Sequence, residues 1–159
     1  MRRALKGSPN RGFIAGLVVL AAGVFVAFAQ DYGEDPPAAP QTAASTASMG
    51  VYSLDQAERG AAVFSSRCSG CHGAELSGGF GPRLAPLPAH WRGQTLGSLF
   101  RFVSSAMPYD NPGSLEVDQY LDAIAFVLQR NGYPAGSDPL VADAAVLDPV
   151  LLDEPPSAP

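Results

Sequence analysis

Cys68-Ser69-Gly70-Cys71-His72 holds both cysteines of the chain, and a histidine follows the second directly. Two thiols at this spacing lie about one helical turn apart. A disulfide closing so small a loop would stabilise little. A zinc site would want four ligands, and only Cys68, Cys71, His72 and His90 are on offer. A thioredoxin-like dithiol would want a βαβ context, which the surrounding sequence lacks. Thiols one turn apart suit the two vinyl groups of a haem, with the adjacent imidazole under the iron. The pattern predicts one haem c, held covalently by Cys68 and Cys71, with His72 as the proximal ligand.

Three side chains compete for the other face of the iron: Met49, His90 and Met107. Met49 falls in a low-complexity leader. His90, beside Trp91 in a loop, reads as a surface or propionate neighbour. Met107 precedes Pro108, which pushes it toward extended backbone and aims the thioether inward from a loop. Met107 is the expected second ligand, although a methionine before a proline is often only a core plug. His72 also needs an acceptor for its free ring N–H. Gly81-Pro82-Arg83-Leu84 offers one, the Pro82 carbonyl. Arg83, Trp91 and Arg92 are candidate hydrogen-bond donors to the haem propionates.

Helical signals flank this centre on both sides. Ser53-Leu54-Asp55-Gln56 fits a capping box in which the Gln56 side chain returns to the cap. Leu54, Ala57, Ala61, Phe64 and Cys68 then form a helical stripe. Gly60 inside that stripe costs up to about 1 kcal/mol against Ala, a cost that a close helix crossing would offset. Thr95 caps a second helix over Leu96–Ser105, which Pro108 stops. A third runs from Val117 to Arg130. It carries Val117, Tyr120, Leu121, Ile124, Val127 and Leu128 on one face and ends at Asn131-Gly132.

Of the chain's 159 residues, 15 are proline and 17 glycine, which suggests folded and unfolded parts. Arg2, Arg3, Lys6 and Arg11 precede Phe13–Ala29, an uncharged apolar run of 17 residues. The run ends in Ala27-Phe28-Ala29, a secretory cleavage pattern, and its length just reaches that of a membrane span. Residues 1–29 are therefore expected to be a signal peptide, cleaved after Ala29, or a retained anchor through residues 13–29. Either places the rest outside the inner membrane, in the periplasm. Residues 30–50, rich in Ala, Pro, Ser and Thr, are expected to be a disordered linker. Residues 137–159, acidic and proline-studded, are expected to be a mostly disordered tail. Beyond Lys6 the chain has no lysine and is acidic on balance. Nucleic acid is excluded as a partner, since phosphate binding needs Lys and Arg.

Residues 51–136 resemble a mono-haem cytochrome c with N-terminal haem attachment and a later methionine ligand. The resemblance rests on Gly60-x-x-x-Phe64, Cys68–His72, Gly81-Pro82-x-Leu84, Met107-Pro108 and Ile124-Ala125-Phe126. It implies an all-α cytochrome c fold: crossed N- and C-terminal helices plus a third helix around one covalent haem. Gly60 and Phe64 would meet Tyr120–Phe126 at the crossing. Met107-Pro108, Pro112-Gly113-Ser114-Leu115, Tyr120, Ala125 and Asn131-Gly132-Tyr133-Pro134 further resemble cytochromes paired with, or fused to, quinoprotein alcohol dehydrogenases. That subgroup usually has Ser or Thr after Leu115, where this chain has Glu116.

The expected function is electron transfer rather than catalysis. Iron with both axial positions filled by His72 and Met107 has no open site for substrate. The implied partners are redox proteins: a periplasmic dehydrogenase as donor, another cytochrome or a terminal oxidase as acceptor. Two rivals remain at the level of sequence. One is an open-site haem enzyme of peroxidase type, or a gas sensor, which requires that Met107 not ligate. The other is a haem subunit of a larger dehydrogenase complex, recruited through residues 137–159.

Overall fold

Local signals place the helices close to where the sequence puts them. A computed structural model describes residues 45–155. The export segment and residues 30–44 of the linker lie outside the described residues. Helix α1 spans Leu54–Arg67, and Ser53 Oγ accepts from the Gln56 N–H at 3.3 Å to cap it. One further turn, α2, covers Ser69–His72 after a break at Cys68. Helix α3 spans Leu96–Ala106, capped by Thr95 Oγ1 accepting from Ser98 N–H at 3.1 Å. It stops at Met107, whose extended backbone suits the proline that follows. Helix α4 spans Val117–Arg130, and a last short turn, α5, spans Ala144–Leu147. Among the described residues only isolated β-bridges accompany them, so the fold is all-α, a cytochrome c fold.

Glu116 starts α4 in place of the usual Ser or Thr. Its backbone N–H donates to Gln119 Oε1 at 3.0 Å, so the residue at N3 ties off the helix entry.

α1 and α4 cross at Gly60. A Cβ there would lie 1.9 Å from the Asp122 carbonyl oxygen, so only glycine permits this approach. One turn on, the Phe64 and Phe126 rings pack with centroids 5.3 Å apart. Arg59 closes the edge of the crossing with two 3.0 Å hydrogen bonds to the Asp122 carboxylate. The crossing inferred from Gly60 and from the family resemblance is thus present.

Three expectations need correction. The Gln56 side chain does not return to its cap. It is buried, and it bonds the backbone of Leu140 instead. Residues 137–155 are not a disordered tail. Leu140, Leu147, Val150 and Leu152 belong to the hydrophobic core beside Leu96, Leu121 and Leu128. Nor is the linker featureless to residue 50: Ala47 is fully buried, in a 3-10 turn over Ala47–Met49. Residues 45–47 and Leu151 pair. Ala47 N–H donates to Leu151 O at 2.9 Å, and Leu151 N–H donates to Ser45 O at 2.8 Å. Residues 93–96 bond the other side of the same strap, through Gly93 N–H to Leu152 O at 2.9 Å and Leu96 N–H to Val150 O at 2.8 Å. Average composition hid this. Prolines and acids are interspersed throughout, yet leucines and valines at the right intervals suffice to anchor a strap.

Candidate haem site

Cys68 ends α1, its N–H bonded to Phe64 O at 2.9 Å. The chain then makes one turn, with His72 N–H donating to Cys68 O at 2.9 Å, and Cys71 between them. Both cysteines are free thiols, half-buried. Burial pushes the Cys68 thiol up to about 11, against the opposing pull of the Arg67 cation.

The loop after His72 wraps back beneath its ring. Gly78 N–H donates to His72 O at 2.8 Å and Gly81 N–H to Cys71 O at 2.8 Å. Pro82 O then lies 2.8 Å from His72 Nδ1. A carbonyl can only accept, so Nδ1 carries the proton and Nε2 is the nitrogen left for a metal. Gly81 makes room: a Cβ there would sit 2.9 Å from His72 Cε1. Asn131 pins the next stretch, donating from Nδ2 to Leu84 O at 2.8 Å and accepting from Leu87 N–H at 2.5 Å.

These elements enclose a cavity of about 380 Å³. Cys68, Cys71 and His72 line one part of it. Leu99 and Val103 of α3, Met107, and Ile124 and Val127 of α4 line the rest. The volume falls within the usual range for a bound cofactor or ligand. No buried side-chain N or O among the described residues lacks a hydrogen-bond partner. An apolar cavity with two thiols and the adjacent His72 imidazole at its wall fits a porphyrin held by thioethers. It does not fit a bare ion: among the described residues no three His, Cys, Asp or Glu side chains cluster as a metal site.

The expected surroundings are met in part. Pro82 and Trp91 line the cavity, Trp91 packed on Phe102 with centroids 5.5 Å apart. His90 lines the cavity too, though it is solvent-exposed. Met49 is 73% exposed and takes no part. Arg83 and Arg92 do not line the cavity, contrary to expectation. Arg92 turns toward Glu154, 3.5 Å away, and Arg83 is exposed on the loop whose neighbouring residues face inward. Sequence reasoning missed Arg67, Phe80, Phe102, Tyr109 and Asp110, which also line the cavity. Adjacency was the available signal: Arg67 precedes Cys68, and Tyr109 follows Met107 by two.

Residues 55–127 match the family model described as cytochrome c oxidase, cbb3-type, subunit III. The matched stretch runs from the start of α1 almost to the end of α4, and so contains the crossing and the cavity wall. The fold and the match over residues 55–127 support a c-type cytochrome domain there, with covalently bound haem c and its iron. Such a domain implies an electron carrier working with redox protein partners. Among solved structures, the sulfane dehydrogenase SoxCD from Paracoccus pantotrophus matches with 23% sequence identity, covering 76% of this chain and 68% of that one, at a TM-score of 0.44. No curated protein matches the chain significantly.

Proposed function

We propose that this chain is an exported mono-haem electron carrier in which Cys68 and Cys71 would form the thioethers and His72 and Met107 would ligate the iron. It would take electrons from a periplasmic dehydrogenase and pass them to another cytochrome or a terminal oxidase. The observation that carries the reading is a single cavity bordered at once by Cys68, Cys71, His72 and Met107.

When bound, haem supplies a one-electron couple between ferrous and ferric iron. The rest is the work of the chain. Cys68 and Cys71 would hold the porphyrin through two thioethers. Pro82 holds His72 in one tautomer, and its carbonyl raises the basicity of the imidazole. The Met107 thioether is a soft ligand that raises the potential relative to a second histidine. Phe64, Leu99, Ile124 and Val127 keep water away and lower the local dielectric.

Export rests on the basic end followed by Phe13–Ala29, cleaved near Ala29 or kept as an anchor. Among the described residues no helix is long and apolar enough to cross a membrane. A quinoprotein dehydrogenase is the proposed donor, on the resemblance of Met107-Pro108 through Tyr133-Pro134. The acidic balance of the chain favours a basic docking surface on the partner.

One preparation tests the core of the proposal. The chain is expressed with haem-maturation machinery and its mass and spectra are recorded. One added haem, no free thiol and a sulfur-to-iron charge-transfer band that Met107→Ala removes are expected. Colourless matured protein with two free thiols would end the proposal. Rapid carbon monoxide binding to the ferrous protein would instead favour an open-site haem enzyme or sensor. Stopped-flow reduction by a quinoprotein dehydrogenase, slowing as salt rises, tests the donor.

A further inference from the structure

Tyr120 lies on α4 and is 3% exposed. Its hydroxyl donates to the Met107 carbonyl at 2.8 Å and accepts from the Leu115 N–H at 3.2 Å. It therefore ties the first residue of the loop that joins α3 to α4 to Leu115, close to the loop's other end. The Met107 carbonyl also accepts from Gly113 N–H at 3.1 Å, and Met107 N–H donates to Val103 O at 3.0 Å. Both peptide groups of Met107 are fixed, one by the end of α3 and one by a side chain of α4.

The loop's other holds are few and at its surface: Asn111 N–H donates to Pro108 O at 3.0 Å, Arg67 donates to Ser114 Oγ at 3.3 Å, and the Tyr109 ring meets Phe80 with centroids 6.3 Å apart. Pro108 is buried, but every residue from 109 to 114 is exposed, Tyr109 to 73%. α4 also supplies Ile124 and Val127 to the cavity wall. A hydrogen bond from Tyr120 thus references Met107 to the same rigid element that faces the porphyrin.

We propose that Tyr120 is a positioning residue for Met107, holding the thioether where it ligates iron; the inference rests on Met107 being that ligand. A weak, soft ligand on an exposed loop stays bound only if its backbone is held in place beforehand. Without the hydroxyl, the Met107 carbonyl keeps only the Gly113 N–H, and Leu115 N–H loses its acceptor. The loop then samples positions in which sulfur is off the iron. The iron then gains an open coordination position.

The test uses the matured holoprotein and two readouts: the ferric sulfur-to-iron charge-transfer band followed with temperature, and the rate of carbon monoxide binding to the ferrous form. In Tyr120→Phe the thioethers and the helical signal are retained, the band fades at lower temperature, and carbon monoxide binds on the order of tenfold faster, equivalent to about 1.4 kcal/mol. Tyr52→Phe is the control for loss of a buried tyrosine hydroxyl, since Tyr52 bonds Tyr133 O at 2.6 Å and lies outside the cavity lining. It leaves both readouts as in the parent. A Tyr120→Phe protein with the parent's band and binding rate overturns the inference while leaving Met107 as ligand. A parent protein with no such band, unchanged by Met107→Ala, overturns the ligand assignment and the inference with it. Should Tyr120→Phe not accumulate, Tyr120→Met decides, because it removes the same hydroxyl and leaves the Gly113 N–H on the Met107 carbonyl. Parent-like behaviour in that variant overturns the inference, and a faded band supports it.

Discussion

The Gln56 side chain holds the backbone of Leu140 in a two-bond clamp. Gln56 Nε2 donates to Leu140 O at 3.1 Å, and Leu140 N–H donates to Gln56 Oε1 at 2.7 Å. Both residues are buried, and 84 positions separate them. An amide matches a peptide group in both directions, which neither Glu nor Leu can do.

Gln56→Ala would leave a donor and an acceptor of Leu140 buried without partners. Each such group costs about 1–3 kcal/mol, so a loss on the order of 2–6 kcal/mol is expected. The urea midpoint of the holoprotein reports it. Truncation after Gly136 removes Leu140, Leu147, Val150 and Leu152 from the core and should cost more than the point variant. A truncated protein as stable as the full chain would show that the strap is a passenger.

Gly60→Ala tests the helix crossing. The added carbon would meet the Asp122 carbonyl at 1.9 Å, so α1 and α4 must part. Overpacking of this kind costs about 1–3 kcal/mol, or roughly 4–8 °C in melting temperature per kcal/mol for a domain of about 100 residues. Gly70→Ala is the contrast. A Cβ there meets nothing within 4 Å, and the melting temperature should hold.

How far the sequence could be read follows from the range of each signal. Caps, helix stripes and the cysteine–histidine spacing are local, so Ser53, Thr95 and Cys68–His72 were legible. Gly60 was legible because an interior glycine in a helix needs a reason. The Pro82 acceptor followed from what a metal-bound imidazole requires. The strap was not legible. Its anchoring depends on pairing between residues 45–47, 93–96 and 150–152, and no local pattern announces such distant partners. Gln56 misled for a related reason: its position in a capping box is local, but its partner Leu140 is not. Charge and neighbourhood point to Arg83 and Arg92, yet a one-residue shift in a loop turns a side chain from the cavity to solvent.

Alkaline stability should carry the signature of Tyr52 and Tyr133. Burial raises both phenols above their ordinary value of 10.0. Below that value folded and unfolded chains are equally protonated, and the contribution is fully present. As pH rises past it the unfolded chain loses protons first, so stability falls until the folded phenols also ionise. Urea midpoints should therefore decline above about pH 10. Tyr52→Phe should flatten that decline. At neutral pH it should cost about 1–3 kcal/mol, because the buried Tyr133 carbonyl loses its donor. An alkaline slope unchanged by Tyr52→Phe would assign the effect to other groups.

Gly81→Ala acts on the proposed proximal ligand without touching a bond to the porphyrin. The new methyl would lie 2.9 Å from His72 Cε1 and 3.0 Å from Nδ1, so the ring or the Pro82 loop must move. Either displacement lengthens the 2.8 Å contact between Nδ1 and Pro82 O. A weaker acceptor makes the imidazole a poorer donor to iron and favours the ferrous state. Haem mass should stay as in the parent, since Cys68 and Cys71 are unaffected, while the reduction potential rises. Equilibrium redox titration of the two proteins reads the shift, with Gly70→Ala as the neutral reference. An unchanged potential with altered stability would mean that the loop yields and the ring does not, and that Gly81 serves folding alone.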